Sequence, residues 1–132
     1  MILPKGALVA VVDGEKLVMF KNTGEHAPEL TALPTPDIHG DGGGTSGHAS
    51  SSANPDDSTK SEDGYAAGVA AVLNQQALTN QFEHLFVVAA PKTLGELRKH
   101  WHKALEAKLV GELAKDLTGQ PADAIATAIA HA

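Results

Sequence analysis

The segment Leu85–Ala89, followed at once by Ala90-Pro-Lys-Thr93, constrains the fold more than any other stretch of the chain. Leu-Phe-Val-Val-Ala is an uninterrupted apolar run of strand length, the pattern of a strand buried on both faces. Thr93-Leu-Gly-Glu96 then has the Ser/Thr-x-x-Glu spacing of a capping box, in which two side chains satisfy free N–H groups at a helix start. An amphipathic helix is therefore expected over Leu94–Trp101, ending in a basic cluster. Residues 102–117 carry two signals. His102-Lys-Ala-Leu-Glu-Ala-Lys-Leu109 is full of good helix formers, whereas Leu109–Leu117 supports a short strand with Val110, Glu112 and Ala114 on one face. A strand over 108–115 makes the topology coherent, and propensity over so short a window is a weak prior. Gly119-Gln-Pro121-Ala-Asp123 stops that strand and starts a last helix with Pro in its first turn.

The N-terminal part reads as a meander. Ala7–Asp13 is apolar and of strand length, and Asp13-Gly14 is a hairpin signal because both residue types tolerate positive φ. Lys16–Lys21 forms the second strand, Asn22-Thr-Gly24 a turn, and Glu29–Leu33 a third strand closed by Pro34 and Pro36. Thr59-Lys-Ser-Glu62 is a second capping box, opening a helix to about Gln81 with Tyr65, Val69, Val72, Leu73 and Leu78 on its apolar side. The expected order is β-β-β-α-β-α-β-α, an α/β ribonuclease-H-like fold with a five-stranded mixed sheet flanked by helices. Val11, Phe20, Val72, Phe86, Val88 and Leu97 are the expected core.

The 132 residues suit one domain spanning 1–132. Between the meander and the first helix, Gly40, Gly42, Gly43, Gly44 and Gly47 precede a Ser-rich run and Asn54-Pro55, with no large apolar residue after Ile38. Such a stretch buries too little to offset its ordering entropy, so a flexible loop is expected over 40–58. Apolar residues are rich in alanine and poor in aromatics, which predicts small, close contacts in the core. The absence of cysteine excludes disulfides and thiolate-bound zinc. Met1–Ala10 lacks the layout of a secretory signal, and no apolar stretch approaches the roughly 20 residues that span a bilayer. A bacterial cytoplasmic protein without membrane insertion is the expectation, with homo-oligomerisation left open.

Charge is unevenly placed. The formal net charge is −6, which disfavours generic binding of polyanions. Yet residues 92–108 carry Lys92, Arg98, Lys99, Lys103 and Lys108 against only Glu96 and Glu106. Lys92, Arg98, Lys99 and Lys103 are accordingly the candidate docking surface for a structured RNA, with a solvated helix face as the plain alternative.

Ala89–His100 (AAPKTLGELRKH) and Gly111–Thr118 (GELAKDLT) resemble the bacterial host-attachment protein family, named for attachment to host cells. The resemblance extends to the Val11-Val-Asp-Gly14 strand-turn and the Gly-rich insertion. That family is in turn similar to the middle domain of eukaryotic and archaeal peptide-chain release factors, of ribonuclease-H-like topology. In release factors this domain carries Gly-Gly-Gln, whose Gln helps hydrolyse peptidyl-tRNA. Here the corresponding stretch is Gly40–Gly47, without Gln; the glutamines are Gln75, Gln76, Gln81 and Gln120. The resemblance therefore implies no release activity.

Other chemistry finds weaker support. Gly42–Gly47 formally matches G-x-G-x-x-G, but no helix start follows to hold a pyrophosphate. His39, Asp41, His48, Asp56 and Asp57 match no standard metal spacing, and His100 and His102, two apart, cannot form the i,i+4 pair that grips zinc. A ribonuclease-H-type nuclease needs clustered carboxylates. Asp13, Glu62 and Asp63 are available, but the strand at 85–89 ends in Ala89-Ala90 where an acid would be wanted. Ser46 or Ser50 beside His48 lacks a group to orient the base. No catalytic, cofactor or metal residue is assigned. The leading expectation is a non-enzymatic interaction module, linked to attachment or to translation, with an unidentified protein partner. The alternatives are a ribosome- or structured-RNA-binding domain using 92–103, and a metal-dependent phosphodiesterase or esterase.

Overall fold

A computed structural model describes residues 3–25, 27–36, 38 and 57–132, with side chains of the first helix described from residue 64 onward. The expected loop over 40–58 lies outside the described residues apart from the helical backbone at 57–58. The strands are β1 (Leu8–Val12), β2 (Leu17–Asn22), β3 (Leu30–Leu33), β4 (Leu85–Ala89) and β5 (Leu109–Ala114). The helices are α1 (Asp57–Leu78), α2 (Pro91–Arg98), the single turn α3 (Lys103–Glu106) and α4 (Ala122–Ala130). The sheet order is β3-β2-β1-β4-β5, with β1, β2 and β3 antiparallel in sequence and β4 parallel to both β1 and β5. This is the expected five-stranded mixed sheet, and among the described residues α3 is the one element added to the expected order.

Burial on both sides explains why β4 is continuously apolar: all five of its residues are buried. On one face, Ala10, Val12, Leu17, Met19, Leu85 and Val87 pack under α1, α2 and α3. Ala66, Ala70 and Ala77 lie buried beside Val69 and Leu73 of α1, so the buried side of the long helix is built largely of small side chains. On the other face, Val9, Val11, Phe20, Phe86 and Val88 pack against Ile125 and Ile129 of α4. Five of the six expected core residues are buried; Val72 is only half-buried, and Leu78 is 50% exposed. On the expected apolar side of α1, Val69 and Leu73 are buried and Tyr65 packs against the same cluster, with alanines completing the stripe.

Four local expectations are corrected. The turn after β1 is a four-residue loop over 13–16, and neither Asp13 nor Gly14 has a positive φ. Instead Asp13 closes the loop itself: its N–H donates to Lys16 O at 2.9 Å, and its Oδ1 accepts the N–H groups of Glu15 and Lys16, both at 2.6 Å. Helix α2 begins two residues before the Thr93–Glu96 box, with Ala90 as N-cap and Pro91 in the first turn, and no side chain caps it. Proline's fixed φ and missing N–H suit that position, so Thr93 falls inside the helix. Helix α1 likewise starts at Asp57, ahead of Thr59. In the last helix Pro121 is the N-cap rather than a first-turn residue.

Strand β5 also departs from simple alternation. Leu85 pairs with Leu109 but Phe86 pairs with Gly111, so Val110 is an extra residue in a bulge. Val110 consequently packs with Leu113 toward the α4 face. Glu112, opposite Val87, faces α2 and does not share a face with Val110.

Candidate functional site

The carboxyl ends of β1, β4 and β5 lie along one edge of the sheet, because these strands are parallel. Ligands of open α/β sheets commonly bind at such an edge. Asp13 sits there, at the end of β1, and Thr118 reaches it from the segment between β5 and α4. The Thr118 hydroxyl lies 2.9 Å from Asp13 Oδ2 and 2.9 Å from Asp116 Oδ1, so its single proton serves one carboxylate at a time. Burial opposes ionisation of Asp13. The N–H groups of Glu15 and Lys16, the Thr118 hydroxyl and the Lys16 charge outweigh it and hold the carboxyl below its ordinary pKa. Burial pushes the half-buried Tyr65 phenol up, and the Asp13 charge adds to that effect. Both oxygens of Asp13 are thus engaged by the protein's own donors.

The second feature is the α2–α3 surface. Lys92 is exposed in the first turn of α2. Arg98 is its last residue, and Lys99 continues the helical backbone as C-cap. Lys103 is the first residue of α3 and exposed. The structure therefore divides the four cations between two helices, because α2 stops at Arg98 and not at Trp101. Lys92 and Lys99, seven residues apart, share a face of α2 about 10 Å apart along its axis. Arg98 turns instead toward β5, where its Nε and Nη2 donate to Glu112 Oε1 at 3.0 and 2.6 Å. Lys99 Nζ is 3.1 Å from Glu96 Oε2. Among the described residues Lys92 and Lys103 have no ion pair. Lys108, the remaining cation of this block, faces elsewhere: its Nζ donates to Asn80 Oδ1 at 2.7 Å and to Phe82 O at 3.0 Å.

The link between the two helices is built by a residue that sequence reading left out. Asn74 of α1 donates through Nδ2 to His100 O at 2.8 Å and accepts the His102 N–H through Oδ1 at 2.8 Å. It thereby clamps the backbone of His100-Trp101-His102. Trp101 packs against the α1–α2–α3 core. The His102 ring caps α3, Nδ1 accepting the Ala104 N–H at 2.9 Å. A polar residue on a helix is common, and only its distance from the connector in space reveals this one.

The glycine-rich match at Gly42–Gly47, the loop residues His39, Asp41, His48 and Asp56, and Ser46 and Ser50 lie outside the described residues, as do the side chains of Asp57, Glu62 and Asp63. Among the described residues no group of three or more His, Asp or Glu is gathered as metal ligands. No described helix is long and apolar enough to cross a membrane.

The strand order, the described helices on the two faces and the carboxyl edge define an α/β domain of ribonuclease-H-like topology. The family model of the bacterial archaeo-eukaryotic release factor family 12 matches residues 6–129, and the chain belongs to that family. The release-factor side of the resemblance in the sequence is thereby shown, and the matched family is not one named for host attachment. No curated protein matches the chain.

Proposed function

We propose that this release-factor-family domain is a non-enzymatic docking module of the translation apparatus, held to structured RNA by the α2–α3 surface. The observation that carries the reading is the exposed quartet Lys92, Arg98, Lys99 and Lys103 on a chain of net charge −6. An acidic protein repels polyanions everywhere except where cations are gathered, so such a face selects orientation as well as partner. Two further facts favour docking over catalysis. The chain has no Gln in Gly40–Gly47, and Asp13 spends both oxygens on its own turn and on Thr118. We place the module in the cytoplasm, where ribosomes are. Any attachment phenotype would be a downstream consequence of this docking.

The test is co-sedimentation with ribosomes at low and moderate salt. Wild type should pellet at low salt and be released as salt rises. Lys92→Glu/Lys103→Glu, which touches no described ion pair, should pellet far less, with a salt slope shallower by roughly two. Equal sedimentation of the two proteins would reject the surface.

A further inference from the structure

The two ion pairs of the α2–α3 surface share an asymmetry. The Arg98 side chain is 57% exposed and its partner Glu112 only 19%; Lys99 is 72% exposed and its partner Glu96 only 15%. In each pair the carboxylate is sheltered and the cation stands outward. The Arg98 fork is also underused, since Nε and Nη2 both converge on the single oxygen Oε1 of Glu112. A guanidinium edge matches two oxygens of one anion better than one oxygen alone, and a phosphate offers them. The bulge at Val110 makes this arrangement by bringing Glu112 to the α2 face.

We propose that Glu112 and Glu96 act as internal stand-ins for phosphate, and that RNA docks on this surface by taking Arg98 and Lys99 from them. This rests on the docking function above and adds its regulation. The carboxylates set a threshold. A single phosphate must compete with a tethered carboxylate, whereas clustered phosphates of folded RNA engage Lys92 and Lys103 first and complete the exchange on Arg98 and Lys99. Isolated anions and weakly structured strands are thereby disfavoured. Exposed ion pairs are weak enough for such exchange to occur readily.

The experiment measures binding of labelled transfer RNA by fluorescence anisotropy across a salt series starting near about 50 mM. Glu112→Gln/Glu96→Gln is compared with wild type and with the charge-matched control Glu15→Gln/Glu83→Gln, whose carboxylates are exposed elsewhere. The first variant should bind roughly two- to fivefold tighter than the control, with a salt slope steeper by about one to two. Adding Arg98→Ala/Lys99→Ala should abolish the gain. An affinity equal to the control's, or a gain that survives removal of Arg98 and Lys99, would overturn the exchange. If Glu112→Gln fails to fold, Glu96→Gln alone puts the same question to Lys99. Binding that is lost in Lys92→Glu/Lys103→Glu but unmoved by the Gln variants would sink this inference and leave the docking function standing. No binding of transfer RNA by any variant would sink this inference, while the docking function stands or falls with the ribosome co-sedimentation.

Discussion

At the scale of single residues, no polar side chain among the described residues makes more hydrogen bonds than Asn22. It is fully buried at the end of β2, and all its hydrogen-bonding positions are used. Nδ2 donates to Leu3 O at 2.9 Å and Pro4 O at 3.0 Å, while Oδ1 accepts Gly24 N–H at 3.0 Å and Glu29 N–H at 2.9 Å. It ties the segment before β1 to the β2–β3 turn. Gly24 follows because a Cβ there would collide with the Ala27 carbonyl oxygen. Asn22→Ala strands several buried backbone groups at once and should cost about 2–4 kcal/mol in urea unfolding. A loss below about 0.5 kcal/mol would mean that water replaces the side chain. Asp13 gives a pH signature. Its folded pKa lies below the unfolded one, so its stabilisation is complete above the unfolded value and disappears as pH falls through the folded value. Unfolding free energy should therefore drop below about pH 4, and Asp13→Asn should flatten that drop. Identical profiles for the two proteins would remove Asp13 from the acid sensitivity.

At the scale of elements, β4 is the centre. It pairs with β1 and β5, and its side chains enter both cores. Phe86 is among the largest fully buried side chains. Phe86→Ala should cost about 3–5 kcal/mol, from lost burial plus the cavity left behind. Chemical denaturation measures it, and a cost below about 1 kcal/mol would contradict the packing described. Helix α4 shows how a short element is positioned by a distant contact. The chain leaves the outer strand β5, is pinned by Thr118 to Asp13 just after β1, and continues into α4 against the opposite face. The pin joins residues 105 apart in sequence.

At the scale of the molecule, one sheet separates two cores, and every strand of its centre contributes to both. Loss of either core should therefore unfold the other. The chain has one tryptophan, Trp101, and it reports on the α1–α2–α3 side. Ile125 lies on the far side, buried under α4. Ile125→Ala should lower the midpoint read by Trp101 fluorescence and by far-ultraviolet circular dichroism equally, with a loss of about 2–5 kcal/mol. Separated transitions would show that the two faces unfold independently.

Much of the fold was legible because burial leaves periodic marks. The apolar run of β4, the meander of β1 to β3 and the helical pattern of α1 each report an average environment, which the sequence by itself determined. The strand at β5 was legible only through topology, since 102–109 favours helix locally and in fact begins with the turn α3. What only the tertiary structure decided are the partners. The capping boxes matched in spacing, yet Pro91 started α2 earlier and left Thr93 inside. Simple alternation put Val110 beside Glu112, and the bulge separated them. The basic cluster was visible by composition, but the pairing of Arg98 with Glu112 and the clamp from Asn74 were not. A hydrogen bond between groups 14, 26 or 105 residues apart depends on the path of the whole chain, and no local pattern of residue types encodes that path.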